Sequence, residues 1–245
     1  MASSVVTPER FAKGRTFEDY VRYVGTPENL QREAWGGYFP DSGSKPTVRK
    51  DNSAVFRERY ERARLSEPQV AAIKWLAAQP GGPAKILVIS EDWSSDCRRD
   101  VPMVARVAEA AGLDLRIFNR DGQTFGKTDN PLTEPGRSPN ADIMAEFMNE
   151  KGGKKYQSIP VVVFYDKDMT YLYHYIELPA IYHKDRVVTE KIRAPRSGET
   201  PQQTAERAGK EFAAFQKAPF FRMWAGAGLD EMASALHERL VMGSR

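Results

Sequence analysis

Residues 85–102 restrict the fold of this chain more than any other stretch. Within them, Ile86 to Ile89 form a short apolar, mainly β-branched run that is typical of a buried strand. A helix is predicted over residues 95–111, and Ser94 stands where its hydroxyl would accept a backbone N–H of the first turn. Cys97, the only cysteine of the chain, follows three residues later, about one helical turn further on. The sequence therefore predicts a strand, a tight turn and a helix, with a serine and a cysteine at their junction.

This junction resembles the active-site segment of the thioredoxin family. That family reads strand, Trp-Cys-x-x-Cys and helix, with a proline five residues after the second cysteine. Here Trp93 comes first, Ser94 and Cys97 take the two cysteine positions, and Pro102 stands at the matching offset. A second anchor is found in residues 158–164, Ser-Ile-Pro-Val-Val-Val-Phe, which resemble the family's strand that opens with a cis-proline. The sequence around Cys97 is most similar to that of a bacterial branch of thioredoxin-like proteins.

Two departures from the family pattern bear on activity. Ser94, as a natural or an engineered replacement, occupies the position of the attacking cysteine, and Val88 occupies that of the family's buried acidic residue. An alcohol is barely ionised near neutral pH and forms no disulfide, so a mixed disulfide cannot be resolved within the chain. The resemblance thus implies a thioredoxin-like α/β fold, a central mixed sheet with helices on both faces, that lacks the family's dithiol.

The resemblance also implies a site at this junction. Catalytic roles fall to Cys97 and Ser94, and substrate contacts fall to five further residues: Trp93, Ser95, Asp96, Ile159 and Pro160. As a monothiol, Cys97 would form a mixed disulfide with glutathione, another low-molecular-weight thiol or a protein cysteine. The residues equally permit a small buried thiol that packs as a hydrophobe, because neighbouring acidic and basic residues oppose one another.

Three functions follow from these residues. The first is a divergent thiol-disulfide oxidoreductase that acts, if at all, through Cys97, with a protein disulfide or a small thiol as its substrate. The second is a non-catalytic thioredoxin-like protein that binds a peptide or a low-molecular-weight thiol in the groove between Trp93 and Pro160. The third is a glutathione-transferase-like enzyme in which Ser94 holds a thiolate. No cofactor is expected beyond glutathione or another thiol as a co-substrate, and whether the protein is an enzyme stays open.

Composition narrows the range of partners and sites. The net charge is +3, from 36 basic and 33 acidic residues that are interspersed, which argues against a nucleic-acid surface. No stretch approaches the roughly 20 apolar residues of a membrane span, and the polar N-terminus lacks a signal-peptide core. A lone cysteine forms no intramolecular disulfide, so a cytoplasmic protein is expected. The three histidines, His174, His183 and His237, show no metal-ligand spacing, and no metal site is predicted.

The chain divides, by pattern, into an N-terminal helical extension (1–82), a thioredoxin-like core (83–193) and a C-terminal helical extension (194–245) packed on the core. Capping signals and apolar spacing predict helices that begin after Thr16, Thr26 and Ser66, and further helices over 53–65, 95–111, 140–150, 200–217 and 229–240. Strands are predicted over 86–89, 113–118, 159–165 and 170–176, the last two as a hairpin. Loops are predicted over 36–43 and 121–140, and an aromatic cluster over 220–224.

Overall fold

The computed structural model describes residues 4–35, 49–122 and 139–243. Its helices there are α1 (Pro8–Ala12), α2 (Phe17–Val24), α3 (Pro27–Trp35), α4 (Ser53–Arg62), α5 (Glu67–Ala78), α6 (Ser95–Ala111), α7 (Ala141–Glu146), α8 (Ala180–Lys184), α9 (Pro201–Phe215) and α10 (Pro219–Met242), with a π-helical segment at Val187–Ile192. The strands are β1 (Lys85–Ser90), β2 (Asp114–Asn119), β3 (Asn149–Lys151), β4 (Lys154–Tyr156), β5 (Val161–Tyr165) and β6 (Tyr171–Ile176). None of these helices has the length and apolar character needed to cross a bilayer.

A four-stranded mixed sheet with the order β2-β1-β5-β6 forms the centre of the molecule. β1 runs parallel to β2 and antiparallel to β5, and β5 and β6 form the predicted hairpin. Every residue of β5 and all but Lys85 of β1 are buried, which explains why these central strands read as continuous apolar runs. The predicted α/β class, a mixed sheet surrounded by helices with further helices at both ends, is confirmed.

The N-terminal helices share one hydrophobic core with the sheet. Tyr20 of α2, Phe56 of α4 and Ile73 of α5 are at most 1% exposed and belong to the same buried cluster as the β1 and β5 side chains. α4, α5 and α10 pack on α6, and α10 also packs on β6. A smaller apolar cluster joins the π-helical segment to the start of α10 through Val188 and Trp224. The residue limits given to the three regions stay a prediction, since this shared core does not itself mark a boundary.

Local capping signals place most helix starts where the sequence predicts them. Thr16 accepts the Asp19 N–H at the start of α2. Complete capping boxes begin α5, at Ser66, and α9, at Thr200, with both reciprocal hydrogen bonds made. α6 covers the predicted 95–111. These predictions succeed because a cap is decided by residues within one turn of one another.

Two segments differ from the prediction. The helix predicted over 140–150 ends at Glu146, and the chain then forms the β3–β4 hairpin. Its turn contains Gly152 and Gly153 at φ 57° and 73°, a left-handed conformation that glycine adopts without steric cost. The aromatic cluster at 220–224 is part of α10, which is a single helix. The loop predicted over 36–43, and most of the one over 121–140, lie outside the described residues.

A buried ion pair fastens the N-terminal extension to the end of β1. Arg32 of α3 donates to both carboxylate oxygens of Glu91, at 3.2 and 2.7 Å, and to the Asp121 carbonyl at 2.8 Å. Glu91 is 0% exposed and Arg32 is 7% exposed. A carboxylate at that depth requires a partner cation, so the position of α3 and the stability of the β1 end depend on each other.

We expect Arg32→Ala to destabilise the protein by about 3–5 kcal/mol, because the substitution leaves Glu91 charged and unpaired in the interior. Urea unfolding monitored by circular dichroism measures the loss. The matched control is Arg22→Ala, which removes an arginine of α2 from an exposed pair with Asp19, its side chain being 63% exposed. The control should unfold like the wild type. An equal loss in both variants would contradict the role given to the buried pair.

Candidate functional site

Ser94 caps α6 at the point where β1 ends. Its Oγ accepts a hydrogen bond from the Cys97 N–H at 3.3 Å, and its own N–H donates to the Glu91 carbonyl at 3.2 Å. The side chain is 7% exposed. The predicted capping role is therefore confirmed, and the Ser94 oxygen is engaged in holding the first turn of the helix.

Cys97 lies inward of this cap and is 0% exposed. Its sulfur accepts a hydrogen bond from the Glu91 N–H at 3.5 Å. Burial raises the pKa of the Cys97 thiol to about 12, and hydrogen bonds from Glu91, Ser90 and Ser94 oppose this only in part. At neutral pH the group is an uncharged thiol packed in the core. The geometry thus favours the buried-thiol interpretation, and the monothiol role stays a hypothesis.

The second anchor, Ile159 and Pro160, is joined by a cis peptide bond, as the resemblance implies. The Pro160 carbonyl accepts the Glu177 N–H at 2.8 Å, which links this segment to the end of β6. In the described part of the chain, the backbone N–H and C=O of Ile159 make no hydrogen bond. This segment therefore retains main-chain hydrogen-bonding groups next to the junction.

A cavity of about 540 Å³ lies between the junction and this segment. Five of the seven predicted site residues line it, namely Trp93, Ser94, Ser95, Asp96 and Ile159. Cys97 and Pro160 do not line it. The structure therefore brings four of the five predicted substrate-contact residues together around an open space, but it leaves Pro160 and the thiol outside the lining.

The remaining wall comes from residues that the sequence analysis missed. The β3–β4 hairpin and the residues after it supply Lys155, Tyr156, Gln157 and Ser158, and the end of α9 supplies Gln216. Tyr156 is 45% exposed, an aromatic ring held at the surface beside the cavity. The paired glycines at 152 and 153 were the sequence signal for this hairpin, because Gly-Gly between two short runs favours a tight β-turn.

Trp93 is fixed as one wall of the cavity. Its Nε1–H donates to an Asp121 carboxylate oxygen at 3.0 Å. The Arg120 guanidinium lies 5.3 Å from the Trp93 ring centroid, in position for a cation–π interaction. Arg98, also in the lining, donates to the Asp92 and Trp93 carbonyls at 2.7 and 2.8 Å. The indole is therefore held in one orientation before any ligand arrives.

The lining of the cavity carries both acidic and basic residues, Asp96 and Glu177 together with Arg98, Arg120 and Lys155. Arg99 donates to the Asp96 carboxylate at 2.8 Å and to the Glu177 carbonyl at 3.0 Å. Burial raises the pKa of Asp96 to about 6, with repulsion from Asp100 and Glu177 adding to it and Arg99 opposing it. Glu177 has φ 64°, a left-handed conformation that is uncommon for a residue with a side chain. Such conformations persist only where the surroundings enforce them, as the two backbone hydrogen bonds of Glu177 do.

Comparisons with known proteins bear on the fold of this chain. Residues 44–128 match a family model described as thioredoxin. A crystal structure of a Pseudomonas aeruginosa protein of unknown function, 13% identical, superposes with a TM-score of 0.51 over 95% of this chain and 98% of that one. An HIV epitope scaffold, 14% identical, gives a TM-score of 0.49 over 96% and 98%. No curated protein matches the chain.

The family match and the sheet topology together define a thioredoxin-like protein. Within that class, this chain carries helical extensions at both ends of the sheet and a junction with Ser94 in place of the first cysteine. Its one remaining cysteine is sealed in the core. The structural relative supports the fold and assigns no activity.

We expect iodoacetamide to modify Cys97 in the folded protein at least about a thousandfold more slowly than in the urea-unfolded chain at pH 7, because burial both blocks access and suppresses the thiolate. Between pH 7 and 9 the rate in the folded protein should keep rising without a midpoint. The unfolded chain should approach a plateau around an ordinary cysteine pKa near 8.5. Mass spectrometry follows the single site. Fast modification with a midpoint below about 8 would contradict the buried-thiol interpretation.

Proposed function

We propose that this chain is a non-catalytic thioredoxin-like binding protein whose cavity between Trp93 and the Ile159 segment receives an extended peptide. The observation that carries the proposal is the separation of thiol and cavity: Cys97 is fully buried and lies outside the lining, whereas the residues of the substrate groove remain assembled around open space. A site built for disulfide exchange needs an accessible sulfur. A binding site needs only the groove.

The main chain of Ile159 supports an extended peptide as the ligand. An added strand gains affinity through backbone hydrogen bonds, and its alternate side chains enter pockets that give specificity. Ile159 offers one N–H and one C=O that bond to no described residue. The cavity beside it, about 540 Å³, has room for one or a few side chains.

Two aromatic residues in the lining of the cavity support the same ligand. Trp93 is held by its hydrogen bond to Asp121, and Tyr156 belongs to the β3–β4 hairpin. Tyrosine and tryptophan bury large areas at low cost in side-chain entropy, and for that reason they dominate binding hot spots. A peptide side chain that enters the cavity would therefore have two aromatic rings available for contact.

A low-molecular-weight thiol such as glutathione stays a second candidate occupant. The N-terminus of α6 and the capping Ser94 suit an anionic group in this position. A thiol ligand would need no chemistry from Cys97 to bind there. A direct titration with reduced glutathione distinguishes this ligand from a peptide.

The first test is selection of a phage-displayed library of random linear peptides on the wild-type protein, followed by fluorescence anisotropy with the enriched peptides. Trp93→Ala and Tyr156→Ala should each weaken binding by about tenfold or more, because each substitution removes an aromatic wall. Trp75→Ala and Tyr171→Ala are matched controls, since these rings are 47% and 42% exposed and lie outside the cavity.

Both control variants should bind like the wild type. Failure to enrich any peptide would overturn the proposal, and so would equal loss in the wall variants and the controls. If reduced glutathione binds saturably and Trp93→Ala abolishes that binding, the ligand of the cavity is a low-molecular-weight thiol and not a peptide.

A second test restores a dithiol with Ser94→Cys. We expect no insulin disulfide reduction above that of the wild type with dithiothreitol as the reductant. The physical reason is that Val88 occupies the position of the family's buried acid and that burial raises the pKa of Cys97 to about 12, so that Cys97 stays a thiol when it must attack a mixed disulfide. Catalytic turnover by this variant would instead identify the chain as a disabled dithiol oxidoreductase.

A further inference from the structure

A buried group of three carboxyls lies where α3 meets the turn after β1. Glu33, Glu91 and Asp92 are each at most 1% exposed. One oxygen of each lies within 4.8 Å of an oxygen of the other two. Glu33 is the unusual member, because neither of its carboxyl oxygens accepts a hydrogen bond. A buried carboxyl that receives no hydrogen bond from a donor is energetically unfavourable. Such a group suggests a further ligand, for example a water or an ion, as its partner.

The charges around the three carboxyls are unevenly matched. Glu91 has a bidentate partner in Arg32. Asp92 accepts hydrogen bonds from the neutral amides of Asn29 and Asn52, at 3.0 and 2.9 Å. The Arg32 Nη2 atom lies 3.5 Å from a Glu33 carboxylate oxygen, farther than the 2.7 Å that separates it from Glu91. Among the described residues, Glu91 and Glu33 therefore share one cation, and Asp92 makes no ion pair.

The other charged groups nearby do not fill this gap. Arg98 donates to the backbone carbonyls of Asp92 and Trp93, and its charge attracts the Asp92 and Glu33 carboxylates without a hydrogen bond to either of them. Arg49 donates to the Glu33 backbone carbonyl at 3.0 Å. Asp121 adds a further carboxylate and is paired with Arg120.

We propose that Glu33 and Asp92, with Glu91 at their side, form a binding site for one hard divalent cation such as Ca²⁺, Mn²⁺ or Mg²⁺. The ligand set is oxygen only, which suits these ions better than zinc or copper. Oxygens on one Ca²⁺, at about 2.3–2.6 Å from it, lie up to about 5 Å apart, which accommodates the spacing seen here. Two carboxylates and one divalent ion are electrically neutral together.

The position gives the cation a structural role. Glu33 belongs to the N-terminal extension, and Asp92 directly precedes Trp93, the wall of the cavity. A cation held by both side chains would tie α3 to the turn that carries the cavity wall. The chain offers no histidine or cysteine spacing for a metal, which is why the sequence predicts none. The site joins the adjacent residues Glu91 and Asp92 to Glu33, which lies 58 positions before Glu91.

The test measures thermal unfolding of the full chain in EDTA and then with Ca²⁺, Mn²⁺ or Mg²⁺ alone. At a hundredfold excess of free cation over Kd, the unfolding midpoint of the wild type should rise by about 5–10 °C. Glu33→Gln should lose this rise, because it removes the free carboxylate and keeps the shape. Glu28→Gln changes an exposed acid of the same helix and should respond like the wild type.

Electron paramagnetic resonance titration with Mn²⁺ provides a second measurement that does not depend on unfolding. The wild type and Glu28→Gln should each bind one Mn²⁺, and Glu33→Gln should bind none at the same concentration. No thermal shift and no Mn²⁺ binding in the wild type would overturn the proposal and leave Glu33 as a protonated acid that donates to Asp92. Equal binding by Glu33→Gln would overturn it as well. Peptide binding at the cavity is measured separately, so this site and the proposed function stand or fall independently.

Discussion

The structure depends on how one carboxylate, Glu91, is accommodated at the buried end of the central strand. Since β1 lies inside the sheet, the residue after it enters a region without water, where an unpaired charge would cost several kcal/mol. Arg32 supplies the charge from α3, 59 positions earlier in the chain. The N-terminal helices are for this reason part of the folded unit. They contribute apolar side chains to the core. They also contribute Arg32, the cation that stabilises the buried Glu91 carboxylate at the end of β1.

A chain of contacts carries this constraint to the cavity. Glu91 accepts the Asp121 N–H at 2.8 Å, and the Asp121 side chain in turn accepts the indole N–H of Trp93. Successive residues of one short turn therefore serve two regions: Glu91 and Asp92 contact the extension, whereas Trp93 and Ser94 line the cavity. A helical extension that is no part of the minimal thioredoxin-like fold thereby fixes the wall at which a ligand would bind.

The junction resembles a thiol-exchange site in its geometry but not in its sulfur chemistry. α6 still begins at a capped turn beside a cis-proline segment, and the space between them is open. The first sulfur is replaced by a hydroxyl, and the second is buried and un-ionised near neutral pH. Fold alone does not decide function. Here an open cavity beside an inaccessible Cys97 thiol favours ligand binding over redox exchange. The polar hairpin residues and the charged residues of both signs in the lining are the features that would select a ligand.

The sequence by itself determined the elements whose causes are local. The caps at Ser66, Ser94 and Thr200, the extent of α6 and the buried strands follow from neighbours within one turn or from a short apolar run. It also placed five of the seven predicted site residues in one cavity, because the family pattern joins two anchors that fold together. Only the tertiary structure decided which groups lie across that cavity, how deep Cys97 sits and which cation meets Glu91. Those outcomes depend on packing between distant segments. Neither hydrophobic periodicity nor capping signals predict the contact between α3 and the end of β1. They also do not predict that a short polar hairpin lines the same cavity as Trp93.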